Sequence, residues 1–168
     1  MGGFSVVVLM SILSFIYLFF IAIFVAVVLY IIMSYTFQAT SIMCMCKNMG
    51  YKNTFIAWIP FYNKYLLGEI AGNKIMGVIS GILSFIAICL GTRFYINKEL
   101  EIVLFIILVI SLIITFILDT MIAHRIYKSR ANKYGDILTV FNILSLGLLR
   151  PIFLFIIRNK NEQCSIKQ

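Results

Sequence analysis

Apolar residues fall in four long runs, and the polar positions between them set the plan of the chain. The first run, Phe4 to Met33, holds no charged residue. As one continuous helix it would reach about 45 Å, well beyond a ~30 Å hydrocarbon core, so it must tilt, kink or project past the membrane. It has no basic n-region, is too long for a signal-peptide core and lacks a small-x-small cleavage site, so it reads as a retained helix. The second run, about 74–90, is closed by Gly91 and the polar loop Thr92 to Glu101. The third, 102–122, is about 31 Å long if helical and matches the core without adjustment. The fourth, 137–157, is interrupted by Arg150-Pro151.

Between the first two runs the texture changes. Residues 47–73 interleave Lys47, Lys52 and Lys64 with Tyr51, Phe55, Trp58, Phe61, Tyr62 and Tyr65. Amphipathic rings with snorkelling lysines mark the headgroup level, and Pro60 breaks any helix near Ile59. The expectation is two short interfacial helices meeting at Pro60, with the aromatic side chains as an anchoring belt or partner surface. The predicted fold is therefore an all-α integral membrane protein, one domain over 1–168. It has about four transmembrane helices, interfacial helices between the first and second, and a tail at 158–168.

Composition supports lipid as the solvent. Of 168 residues, 62% are hydrophobic and 12% charged, whereas soluble domains run nearer half and a quarter. The net charge of +8 is carried between the apolar runs, which suits anionic headgroups and not nucleic acid. The four cysteines form no CxxC pair and have one histidine, His124, for company. No metal, cofactor or catalytic constellation is expected.

Cations also orient the chain. Lys47, Lys52, Lys64 and Lys74 follow the first run; Arg93 and Lys98 follow the second, offset by Glu99 and Glu101; Arg125, Lys128, Arg130 and Lys133 follow the third. By the positive-inside rule the N-terminus is outside, and loops 34–73 and 123–136 are cytoplasmic. A full fourth crossing then leaves Arg158, Lys160 and Lys167 outside, against the rule. A re-entrant turn at Leu149-Arg150-Pro151 is the alternative that would return them inside. The full crossing is the working expectation.

Within the runs, Ser111, Thr115 and Asp119 share one face of the third helix, and Thr139, Asn142 and Ser145 share one face of the fourth. Counted from the cytoplasmic boundary, Asp119 lies about 5 Å deep, Asn142 about 8 Å, and Thr115 and Ser145 near 10–12 Å. The two faces are therefore expected to meet as interhelical glue, the alternative being a proton or cation path starting at Asp119. Arg150, about 20 Å deep, is too far to reach Asp119 on this geometry. It is expected to snorkel outward to Glu99 or Glu101. Gly77 and Gly81 have GxxxG spacing, suited to helix packing within the chain or to a homo-oligomer. His124 reads as a surface histidine.

The segment Gly50…Trp58-Ile59-Pro60-Phe61-Tyr62-Asn63…Ala71-Gly72, with Tyr134-Gly135 and Pro151-Ile152-Phe153 later, resembles a family of small bacterial membrane proteins described as a domain of unknown function. The resemblance covers roughly 45–157 and implies a multi-helix fold in a bacterial cytoplasmic membrane, with no assigned activity. Some members of that family carry a signal-peptidase label. A Ser/Lys peptidase needs a surface serine, a lysine lowered by burial and an oxyanion hole; the chain has no Ser-Met-x-Pro motif and no extramembrane β-domain, so the label is not transferred. The functional expectation is a non-enzymatic scaffold or accessory subunit, the alternative being a small oligomeric pore or ion or proton conductor using the Ser111-Thr115-Asp119 face.

Overall fold

The computed structural model describes residues 2–97 and 102–160. Every regular element among them is helical: α1 (Gly2–Asn48), a 3-10 turn (Thr54–Trp58), α2 (Pro60–Ile70), α3 (Lys74–Asn97), α4 (Ile102–Ala131), a second 3-10 turn (Asn132–Tyr134), α5 (Gly135–Leu144) and α6 (Arg150–Ile157). Three helices are long and apolar enough to cross a membrane: Val7–Asn48, Lys74–Ile96 and Ile102–Ala131.

The chain divides into two compact units, Met1–Thr36 and Phe37–Gln168. The first is helical, and every side chain from Val7 to Met33 is exposed. The second holds the core. Helix α1 does not stop near Met33 as the apolar run suggested, because Ala39, Ile42, Met45 and Cys46 continue the helical spacing and are buried. They pack with Leu66, Leu67 and Ile70 of α2, Ile122, Ile126 and Tyr127 of α4, and Leu154 and Ile157 of α6. These core positions sit near the C-terminal ends of α1 and α4. Toward the α3–α4 connection, from Phe94 to Ile96 and Ile102 to Ile110, most side chains are exposed.

The fourth apolar run is a correction to the expected crossing. It is two helices of 10 and 8 residues, about 15 and 12 Å long, each too short to span. Leu146 and Gly147, at φ +51° and +83°, take left-handed conformations that turn the chain after α5, and Pro151 opens α6 in its first turn. The chain therefore folds back. Gly135 starts α5 against the backbone of Lys128, Gly147 lies beside the Phe116 ring, and at the far end Arg130 Nη1 donates to the Lys160 carbonyl at 2.8 Å. Helix α5 thus runs antiparallel to α4 and α6 returns along it.

Helices α2 and α3 dock through glycines. A Cβ on Gly68 would lie 2.6 Å from the Gly77 Cα, and one on Gly77 would lie 2.7 Å from the Lys64 carbonyl oxygen. Gly77 packs within the chain, with α2 on the face that a homo-oligomer would need; Gly81 is buried on the same side.

Because backbone atoms cannot yield as side-chain tips do, Gly68→Ala and Gly77→Ala are each expected to destabilise by about 1–3 kcal/mol or more. Gly91→Ala, with nothing within 4 Å of the added Cβ, is expected to be neutral or slightly stabilising. Thermal unfolding in detergent micelles reads all three, and equal midpoints across them would contradict the close α2–α3 approach.

Candidate functional site

Asp119, on α4, is where the helices converge chemically. Its Oδ2 lies 3.0 Å from Lys64 Nζ of α2 and 2.8 Å from Arg150 Nη1 of α6, and its Oδ1 accepts from Ser80 of α3. The three charged side chains are only 12–20% exposed. A carboxylate this buried requires paired cations and hydrogen-bond donors, and Asp119 has two cations on Oδ2 and a hydroxyl donor on Oδ1.

The cluster is wider than its ions. Lys64 also donates to Ser84 at 2.6 Å and Ser80 at 3.3 Å. Arg150 Nη2 reaches Gln38 Oε1 at 3.5 Å, Gln38 donates to Asn63 Oδ1 at 2.7 Å, and Asn63 donates to the Ala57 carbonyl at 3.0 Å. One polar network thus joins α1, α2, α3, α4 and α6.

The lysine–serine contact belongs to the same cluster. As an ammonium, Lys64 has an acceptor for each of its three N–H bonds, in Ser80, Ser84 and Asp119. Ser84 itself donates to the Ser80 carbonyl at 2.7 Å. Lys64 thereby ties α2 to Ser84 of α3 and to Asp119 of α4.

Arg150 is the largest departure from expectation. It neither snorkels nor lies too deep to meet Asp119, because the break at Gly147 returns it to the Asp119 level. Glu99 and Glu101, its expected partners, lie outside the described residues.

The two polar rows, Ser111-Thr115-Asp119 and Thr139-Asn142-Ser145, exchange no hydrogen bond with each other. Asp119 faces α2, α3 and α6, and not α5. Ser111 bonds its own helix at Leu108, and the Thr115 hydroxyl is buried without a partner. On α5, Thr139 meets His124 of α4 at 2.9 Å, Asn142 is buried with its Oδ1 unpartnered, and Ser145 accepts from the Leu149 N–H in the turn. His124 is partly covered and hydrogen-bonded, with Asp136 at 4.0 Å.

The aromatic segment is half built into the bundle. Ala57 and Asn63 are buried, while Phe55, Phe61 and Tyr62 face outward and Tyr51, Trp58 and Tyr65 are intermediate. Pro60 begins α2. Phe61, Tyr62 and Tyr65 line an apolar groove of about 620 Å³ with Gly77, Gly81 and Phe85. The Tyr51 hydroxyl bonds Glu69, whose carboxylate also pairs with Lys74 at 2.6 Å. These two bonds hold Glu69 below its ordinary value, and the first pushes Tyr51 up to about 12.

Sequence reading missed Lys64, Ser80 and Ser84 as a set, taking the lysine for a snorkelling anchor and giving the serines no role. Their signal is the polar stripe Ser80–Ser84 on α3, at a spacing of four. In comparison with known proteins the chain matches no family model, no curated protein and no solved structure.

The cluster's stoichiometry makes a directional expectation. Asp119→Asn leaves two buried cations facing each other and is expected to cost about 3–5 kcal/mol. Lys64→Met leaves the Asp119–Arg150 pair intact and is expected to cost clearly less. Unfolding midpoints in micelles check the ranking; a milder Asp119→Asn would show that the carboxylate is not the hub.

Proposed function

We propose that the chain is an integral membrane protein that crosses the bilayer three times, through residues 7–33, α3 and α4, and serves as a non-catalytic scaffold or accessory subunit. The observation that carries this reading is the first unit: 27 consecutive residues, Val7 to Met33, with an almost wholly apolar surface exposed on every side. Such a surface needs lipid or partner helices to cover it. The outward rings of Phe55, Phe61 and Tyr62 add a second uncovered apolar surface at the headgroup level.

Three crossings agree with the cations. Lys47, Lys52, Arg125, Lys128, Lys133, Arg158 and Lys160 then share the cytoplasmic side, with Arg93 opposite them. The fold-back of α6 removes the conflict that a fourth crossing creates. On the resemblance of the 45–157 region, the membrane is the bacterial cytoplasmic one and anionic headgroups are its lipid partners.

A conducting role for the Ser111-Thr115-Asp119 face is disfavoured by the two cations fixed on Asp119. An ion path needs a group that binds and releases, and this carboxylate is held on both oxygens.

In a cysteine-free background, single cysteines placed at Lys133 and Lys160 are expected to resist a membrane-impermeant thiol reagent applied from outside, while one at Tyr95 is labelled. Labelling at 160 would overturn the three-crossing topology. Reconstituted in liposomes, the protein is expected to leave a proton gradient intact, and Asp119-dependent leakage would favour the conductor.

A further inference from the structure

The α5–α6 hairpin shows a surface its own chain does not explain. Its tip carries Leu144, Leu146 and Leu148, which are 74%, 77% and 58% exposed. Leu146 holds φ at +51°. A leucine in the left-handed region costs roughly 1–2 kcal/mol that glycine would avoid. At 77% exposure, little of its own chain packs on that side chain to offset the strain. An apolar side chain kept at such a position points to an apolar medium outside the protein.

The base of the hairpin has the opposite character. Lys133 precedes α5, and Arg158 and Lys160 follow α6. The Arg130–Lys160 hydrogen bond holds the two ends together at the close of α4, beside Lys128. The Arg158 guanidinium lies 3.7 Å from the Phe155 ring centroid, an arrangement that leaves its charge at the edge of an apolar surface. Among the described residues, Asp136 is the acidic one at this end of the hairpin, against Lys128, Lys133, Arg158 and Lys160.

Depth follows from α4. The tip reaches the level of Phe116, about 21 Å along the helix from Ile102. With Ile102 at one boundary of a ~30 Å core, the tip lies about 9 Å inside the other boundary and short of the midplane.

We propose that the α5–α6 hairpin is a one-leaflet wedge. Leu144, Leu146 and Leu148 sit among the acyl chains of the cytoplasmic leaflet, and Lys133, Arg158 and Lys160 engage anionic phospholipid headgroups above them. The layering of apolar tip under basic rim matches one leaflet of an anionic bilayer, as in interfacial amphipathic elements. This inference rests on the membrane reading above and adds a site to it. The tip is also continuous with the ionic cluster, since Arg150 follows Leu148 by two residues, so leaflet packing acts on the element that supplies Asp119's counter-charge.

Depth-resolved fluorescence tests it. Trp58→Phe removes the native tryptophan, and Leu144→Trp or Leu146→Trp reports from the tip; the first lies in regular helix, so its folding does not depend on the strained turn. In vesicles containing phosphatidylglycerol, bromines midway along the acyl chains are expected to quench about twofold more than bromines at the headgroup end or at the bilayer centre. Lys133→Glu with Lys160→Glu is expected to remove the difference between anionic and zwitterionic vesicles. Emission typical of water, strongest quenching at the centre, or blue-shifted emission indifferent to bromine (a second copy or another protein covering the tip) would each overturn the wedge. Alkaline carbonate washing separates the two levels: release of the chain contradicts the membrane reading, whereas a retained chain with an unquenched tip contradicts the wedge alone.

Discussion

A carboxylate on a helix as apolar as α4 must find positive charge, and the second unit is arranged around that requirement. Asp119 draws a lysine from α2, a serine from α3 and an arginine from α6, and through Arg150 and Gln38 the network extends to α1. In an apolar surrounding the ion pairs are worth little as net stability, because desolvation offsets most of their attraction. Their effect is specificity. In the membrane that we propose for the chain, helices that slide or rotate against one another lose no hydrophobic contact that lipid cannot replace, but they strand a charge. The cluster therefore selects one register among packings that apolar contacts alone leave nearly equivalent.

The fold-back of α6 is a consequence of that selection as well as its means. A straight helix from Ile137 would carry Arg150 about 20 Å along its axis, far from Asp119. Gly147 and Pro151 reverse the chain and bring it back. The same reversal places Arg158 and Lys160 beside the end of α4, where their charges agree with those of the neighbouring loops.

Much of the architecture was legible from hydrophobic pattern. The three long apolar helices, the break at Pro60 and the polarity of the loops follow from run length, proline and lysine placement. What failed was depth reckoning along the fourth run. It assumed continuity through Ser145-Leu-Gly-Leu-Leu149, although a glycine followed four residues later by a proline is the punctuation of one helix ending and another beginning. Asp119 was visible as an anomaly, since an acidic residue in an apolar run asks for a partner. Which partner was not visible, because Lys64 and Arg150 are 55 and 31 residues away in sequence and become neighbours only through close α2–α3 packing and the hairpin. Lys64 also sits among tyrosines, a context in which a lysine reads equally well as an anchor.

The central claim is that Asp119 and Arg150 are one energetic unit. A double-mutant cycle in micelles measures it directly, from the stabilities of wild type, Asp119→Asn, Arg150→Met and the double variant. The account requires the double variant to be less destabilised than the sum of the single ones by about 1–3 kcal/mol, as for groups in direct contact. Effects that add to within ~0.5 kcal/mol would mean that the two residues act independently and that the bundle is organised by something else.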